Sequence, residues 1–204
     1  YALLNCGVNM VPTAGTASGV HPVPLGFGRV YVHLEGGFDY EQWKAGLREG
    51  RSFVTTGPML FATVNGQLPG QRFESANSFA AEIDAEILSE YPLESIEIVR
   101  DGQVAHTIEP GNQAAAQGTY RTKVRHLLET NTSSWLAGRC WEKRPGGRVR
   151  YAHTAPWHIS IPKAPLRPRR VERDYLIDRI QSEIDRSADV LPEEAILEYR
   201  KALN

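Results

Sequence analysis

Residues 13–36, TAGTASGVHPVPLGFGRVYVHLEG, and 38–70, FDYEQWKAGLREGRSFVTTGPMLFATVNGQLPG, decide how this chain is read. In the second stretch Asp39 is a good helix N-cap and Gln42 stands three residues later in capping-box position, with Phe38 and Trp43 spaced as a hydrophobic staple. Gly50 supplies the stop. The spacing predicts a short helix over 40–49, whose apolar stripe, Trp43 and Leu47, faces a larger body while Glu41, Lys44, Arg48 and Glu49 stay in water. Arg29 to Leu34 alternates Val30, Val32 and Leu34 against Tyr31 and His33, and Ser52 to Thr56 is β-prone, so the helix lies between two strands. With strand-like VPTAG just upstream, the unit reads as the last part of an α/β layer or barrel.

Beyond Asn65-Gly66 the pattern becomes that of an antiparallel β domain. Phe79, Ala81, Ile83, Ala85 and Ile87 alternate with Ala80, Glu82, Asp84 and Glu86, which predicts a strand with one buried face. Ile96–Val99 and Val104–Ile108 flank Asp101-Gly102, a hairpin signal. Further strands are expected over 120–128, 134–141 and 148–161, at sandwich-like spacing. A loop of small residues, GNQAAAQG, spans 111–118, and KAPLRPRR at 163–170 is a proline-basic linker. Leu176, Ile177, Ile180 and Ile184 then recur at helical spacing, and Leu191-Pro192 announces a second helix containing Ile196, Leu197 and Leu203.

The chain has 204 residues, 41% of them hydrophobic and 23% charged, enough for one large or two small domains with a core. A net charge of -1 gives nothing to attract nucleic acid or an anionic membrane, and the basic linker, poor in aromatics and followed by acids, reads as a solvated connection. No apolar run has the length of a membrane span. The opening Tyr1, inside YALLNCG, predicts that the natural beginning lies upstream. Cys6 and Cys140 form no CxxC pair and do not reveal the compartment.

LLNCG, PTAGTASGVHPVPLGFGRVYV, the YEQWKAGLREGRSFVTTGPML block ending VNGQLPG, WLAGRCW and YAHTAPWHISI, in that order, resemble the C-terminal half of the carbaryl-hydrolase-like metallohydrolases, members of the PHP-like superfamily. The resemblance covers most of the chain. It implies an α+β, multi-domain protein: a C-terminal remnant of a PHP-like α/β barrel over 1–66, an Ig-like antiparallel β-sandwich over 67–162, and a linker with two C-terminal helices over 163–204. It also implies a divalent metal, zinc or manganese, in the full-length protein and hydrolysis of ester, carbamate or phosphoester bonds. It points to a bacterial, exported enzyme, although the residues do not fix the compartment.

A metal hydrolase needs three or more His, Asp, Glu or Cys donors around an ion with an open position for water. In such barrels most donors lie in the N-terminal half, and the one late ligand the family implies, an Asp after the TAGT strand, is here Ala17, which cannot bind metal. His21 is either a substitute ligand or a loop histidine before Pro22; the hydroxyls of Thr16 and Ser18 are weak donors or water positioners. Arg51 and Thr56, in the RSFVTTGP turn, line a barrel mouth or merely lead into the sandwich. His153 faces the barrel or plays a hydrogen-bonded structural part, and His33 points to solvent or to a lumen. His106 and His126 read as surface residues, and His158, five residues after His153, is not spaced with it for metal. The glycine-rich pieces lack phosphate-loop and dinucleotide patterns, and no GxSxG elbow supplies a nucleophile.

Two expectations follow. In one, this is the C-terminal part of a PHP-like hydrolase of a small-molecule substrate, inactive as this chain alone because of Ala17 and the absent donors. In the other, a degenerate barrel supports a sandwich that binds a partner or a polysaccharide, and an exposed cluster of Trp135, Trp141 and Trp157 would mark it. A homodimer through the C-terminal helices is one further expectation.

Overall fold

The computed structural model describes residues 1–17 and 23–203. Within them the chain is mixed α+β, dominated by two sheets of eight and four strands, with four α-helices. It divides into two compact units, one of residues 11–165 and one of residues 1–10 with 166–204.

In the larger unit, β1 (Arg29–Val32) is followed by α2 (Tyr40–Glu49) and β2 (Ser52–Thr55). The helix is where its caps put it: the Gln42 backbone N–H donates to Asp39 Oδ1 at 2.8 Å, and Gly50 closes the end in the left-handed region, φ 79°. The staple does not form. Phe38 is 78% exposed, and Trp43 stacks on Tyr40 instead. The two flanking strands also depart from a parallel βαβ unit, because β1 and β2 pair directly and antiparallel, Arg29 opposite Thr55 and Val32 opposite Ser52. A period-two pattern on each side of a helix carries no strand direction. Among the described residues the strands close no barrel.

The eight-stranded sheet runs β1-β2-β11-β10-β12-β4, where β4 is Arg72–Glu74, β10 Ser134–Glu142, β11 Arg150–Thr154 and β12 Trp157–Ser160. The strands before and after position 66 therefore share one sheet, and the boundary expected at 66/67 falls inside the unit 11–165. One edge of β10 takes β12 and then β11; the other takes β6 (Leu93–Arg100), which carries β7 (Gln103–Ile108) through the Asp101-Gly102 hairpin. Both turn residues have positive φ, 51° and 81°, as that dipeptide favours. The strand expected over 148–161 is two strands, because Ala155-Pro156 interrupts the ladder and Pro156 has no N–H to give it.

The second sheet has the order β3-β5-β9-β8: Met59–Val64, Phe79–Ser89, Tyr120–Thr130 and Gln113–Ala114. β5 behaves as its alternation predicts, with Ala81, Ile83 and Ile87 buried and Glu82, Asp84 and Glu86 on the other face, where Arg121 and Arg125 pair with them. The core lies between the sheets. Leu60, Ala62, Val64, Ile83, Ile87 and Val124 from the small sheet meet Phe53, Ile96, Ile98, Leu136, Cys140, Trp157 and Ile159 from the large one. One glycine is indispensable to this layout: a Cβ on Gly70, φ 88°, would stand 1.8 Å from the Glu49 carbonyl oxygen, so the loop after β3 passes the end of α2 only as glycine.

In the smaller unit α1 (Ala2–Asn5) and α4 (Glu193–Ala202) both pack on α3 (Arg170–Ser187). Ile184 and Ile196 are its buried apolar residues, as the helical spacing predicts. The buried Glu172 holds the start of α3, accepting from the Arg169 backbone N–H at 2.7 Å and from Asn5 Nδ2 at 2.8 Å while pairing with the Arg169 guanidinium. No helix among the described residues is long and apolar enough to cross a membrane.

Candidate functional site

A cleft of about 330 Å³ opens where the TAGT segment passes the end of the large sheet, lined by Ala14 to Ala17, Phe27, Gly28, Thr55, Thr56 and Tyr151 with Val23 at its side. Thr16 anchors it: its Oγ1 accepts from the Gly28 N–H at 2.8 Å, tying the TAGT segment, which forms no strand, to the residue that precedes β1. The opposite wall is the TTGP turn. Thr55 Oγ1 donates to the Pro58 carbonyl at 2.6 Å and accepts from the Gly57 N–H at 2.9 Å. Thr56 exchanges backbone and side-chain bonds with Tyr151, N–H to O at 2.9 Å and Tyr151 N–H to Thr56 Oγ1 at 3.0 Å. The Thr56 hydroxyl thus accepts from β11 and keeps its own proton to offer a ligand.

Thr16, Ala17 and Thr56 of the residues singled out from sequence meet at this cleft. Ser18 and His21 lie outside the described residues. Arg51 lines a different and larger cavity, about 870 Å³, between the β1–β2 end of one sheet and the face of the other, where it is tied to Glu49 at 2.7 Å. His33 is exposed at the same cavity. His153 is half-buried on β11 with Nδ1 2.7 Å from the Thr154 carbonyl, so Nδ1 is the protonated nitrogen and donates to it. Burial first, then Arg139, hold its pKa below the ordinary value, against that hydrogen bond.

His106 and His126 are not independent surface residues: their rings stack at 4.1 Å, joining β7 to β9, and burial with the His106 charge lowers the pKa of His126. The tryptophans make no exposed platform. Trp135 and Trp157 are each 1% exposed, and Trp141 is half-buried against Tyr151, its indole N–H donating to Glu97 Oε2 at 3.3 Å.

Among the described residues no three His, Cys, Asp or Glu side chains approach closely enough to hold a metal ion. The described donors that line the cleft are the hydroxyls of Thr16, Thr55, Thr56 and Tyr151, poor ligands for zinc or manganese, so these residues alone do not fit the metal that the resemblance implies.

Phe27, Tyr151 and Arg150 were not singled out from sequence. Arg150, at the start of β11, lays its guanidinium 4.0 Å above the Phe27 ring and donates from Nη1 to the Thr56 carbonyl at 2.6 Å. The RVRY sequence around it matches no motif; only its bond across 94 positions to Thr56 brings it beside the lining residues Thr56 and Phe27. Compared with family models, curated proteins and solved structures, the chain matches none.

Proposed function

We propose that this chain is the C-terminal portion of a PHP-like, carbaryl-hydrolase-like metal-dependent hydrolase, and that residues 13–17 and 55–58 form part of the rim of its active cleft. The observation that carries the reading is that two stretches contributing to the family resemblance, TAGTA and TTGP, far apart in sequence, face one another across a single opening. In that reading a barrel half contributed by upstream sequence supplies the metal donors and the sandwich supports the rim. A bound zinc or manganese would lower the pKa of a coordinated water and polarise the scissile carbonyl.

This chain's own residues have narrower parts. Thr16 fixes the TAGT backbone against Gly28, the Thr56 hydroxyl offers a hydrogen bond to a substrate oxygen, and Phe27 and Tyr151 give an apolar wall that excludes water. Ala17 removes the carboxylate that the family implies at this place, so the chain alone is inactive.

The test uses a longer protein that includes upstream sequence, assayed with manganese or zinc on an activated aryl ester, beside this chain alone. The reading expects metal-dependent turnover by the longer protein, none by the chain alone, and a higher metal content when Ala17→Asp restores the carboxylate. Metal-dependent turnover by the chain alone, or none by the longer protein in either form, overturns it.

A further inference from the structure

The hairpin that follows β3 is left unfinished. Asn65 and Gly66 both have positive φ, 49° and 74°, and their turn brings Gln67 back beside Val64. The Val64 N–H donates to the Gln67 carbonyl at 3.0 Å and the Gln67 N–H to the Val64 carbonyl at 2.9 Å, an isolated bridge that no further residue extends. Pro69 has no N–H to continue a ladder, and the Gly70 N–H goes to the Pro156 carbonyl at 2.9 Å, so the returning chain leaves β3. β3 is therefore a sheet edge, paired along its length with β5 alone.

The bonds at the turn fix which backbone groups that edge presents. The Asn65 N–H donates to the Glu82 carbonyl of β5 at 2.8 Å, whereas Val64 bonds away from β5. In an antiparallel ladder this direction alternates, so Thr63 and Phe61 bond to β5 while Ala62 and Leu60 turn their N–H and C=O the other way. Among the described residues those groups of Leu60 and Ala62 have no hydrogen-bond partner. Yet both residues are buried, 3% and 8% exposed. Buried backbone groups are nearly always paired, so a partner for these has to stand in the space beside them.

That space is the cavity of about 870 Å³ that Arg51 also lines. Every residue from Met59 to Thr63 borders it, and from the other sheet so do Tyr31 and Phe53, which are paired across β1 and β2 and stack at 5.3 Å. Phe61, half exposed, meets Phe53 edge-on at 6.0 Å and extends the aromatic wall. Neighbouring strands lie about 4.8 Å apart, so one extended segment fits beside β3, while the edge of a second copy, arriving with its own β1–β2 arm, would run into that wall.

We infer that β3 is a docking edge: an extended peptide segment of a partner protein adds to it as a strand, pairs with the N–H and C=O of Leu60 and Ala62, and lays small or apolar side chains at alternate positions against Tyr31 and Phe53. The inference goes beyond the hydrolase reading and does not rest on it.

The probe is a fluorescein-labelled peptide of alternating valine and threonine between terminal lysines, titrated into this chain and followed by anisotropy, with amide exchange of the isotope-labelled chain measured alongside. In the free chain the amides of Leu60 and Ala62 should exchange rapidly and those of Phe61 and Thr63 slowly, and saturation with the peptide should protect the first pair. Only one edge of the added strand faces β3, so versions of the peptide N-methylated at every valine or at every threonine should differ in affinity by about tenfold or more. Ala62→Pro removes a donor that faces the cavity and no bond to β5; it should weaken the unmodified peptide about tenfold, with the urea midpoint near that of the parent. The methylated pair reads the same bonds without any substitution in the chain. Absence of binding at millimolar peptide, equal binding of the two methylated versions, protection of Leu60 and Ala62 in the free chain, or unchanged binding by a folded Ala62→Pro variant overturns the inference. Protection that grows with protein concentration alone also overturns it, by placing a second copy in the cavity.

Discussion

His158, on β12, stands opposite Trp135 on one side and Arg72 on the other. Burial, with the Arg72 charge adding to it, pushes its pKa down to about 4 from an ordinary 6.5. The unfolded chain takes up this proton first as pH falls, so between about 6.5 and about 4 unfolding binds protons and native stability drops with pH. Below about 4 both states are protonated and the loss is complete. His153 and His126, also lowered, add to the same slope, so the contribution of His158 is read by difference. His158→Gln should flatten the dependence of the urea midpoint on pH between 4 and 6.5 relative to the parent chain; identical slopes in the two proteins would show that the imidazole is not held neutral by the fold. None of this was legible from sequence, which placed His158 only by its spacing from His153, because desolvation depends on which sheet a strand enters.

At the scale of elements, what could be read was what local chemistry decides. α2 was bounded by Asp39, Gln42 and Gly50 and falls on 40–49, and the Asp101-Gly102 turn joins β6 to β7, since caps and turns act within a few residues. Asp39→Ala removes the acceptor for the Gln42 N–H and should cost about 1 kcal/mol, measured by urea unfolding, with Asp39→Asn retaining most of the stability. An unchanged midpoint in the alanine variant would mean that α2 is held by packing of Trp43 and Leu47 alone. Strand direction was not legible. Nothing in RVYV or SFVT distinguishes a parallel crossover from the antiparallel pair that β1 and β2 make, and three-residue β4 is too short to show alternation. The Phe38 staple failed for a related reason: spacing brings residues 38 and 43 within reach, but Tyr40 takes the Trp43 ring.

Across the whole molecule, the cleft was half visible, because TAGT and TTGP carry patterns of their own while Tyr151, and Arg150 beside it in sequence, owe their place to pairing of β11 with β2 over about a hundred positions. The same long-range pairing determines what folds together. Every member of the apolar core cluster falls between Phe53 and Ile161, inside the unit 11–165. Residues 1–10 join 166–204 instead, through α1 on α3 and the buried bond from Asn5 to Glu172. Burial of apolar surface is the main driving term of folding, so a unit that contains its whole core should keep its cooperativity when the other is removed. Residues 11–165 produced alone should unfold in a single urea transition, with stability within about 2 kcal/mol of the same unit in the full chain. They should also retain the near-ultraviolet signal of Trp157, whose indole N–H donates to the Gln67 carbonyl at 3.0 Å. Removing 166–204 while leaving 1–10 should expose Cys6 to thiol reagents and leave Cys140, fully buried between the sheets with its pKa raised to about 12, unreactive until global unfolding. A broad, non-cooperative transition for 11–165, or rapid labelling of Cys140 under native conditions, would mean that the helices contribute to the core and that the two units fold as one.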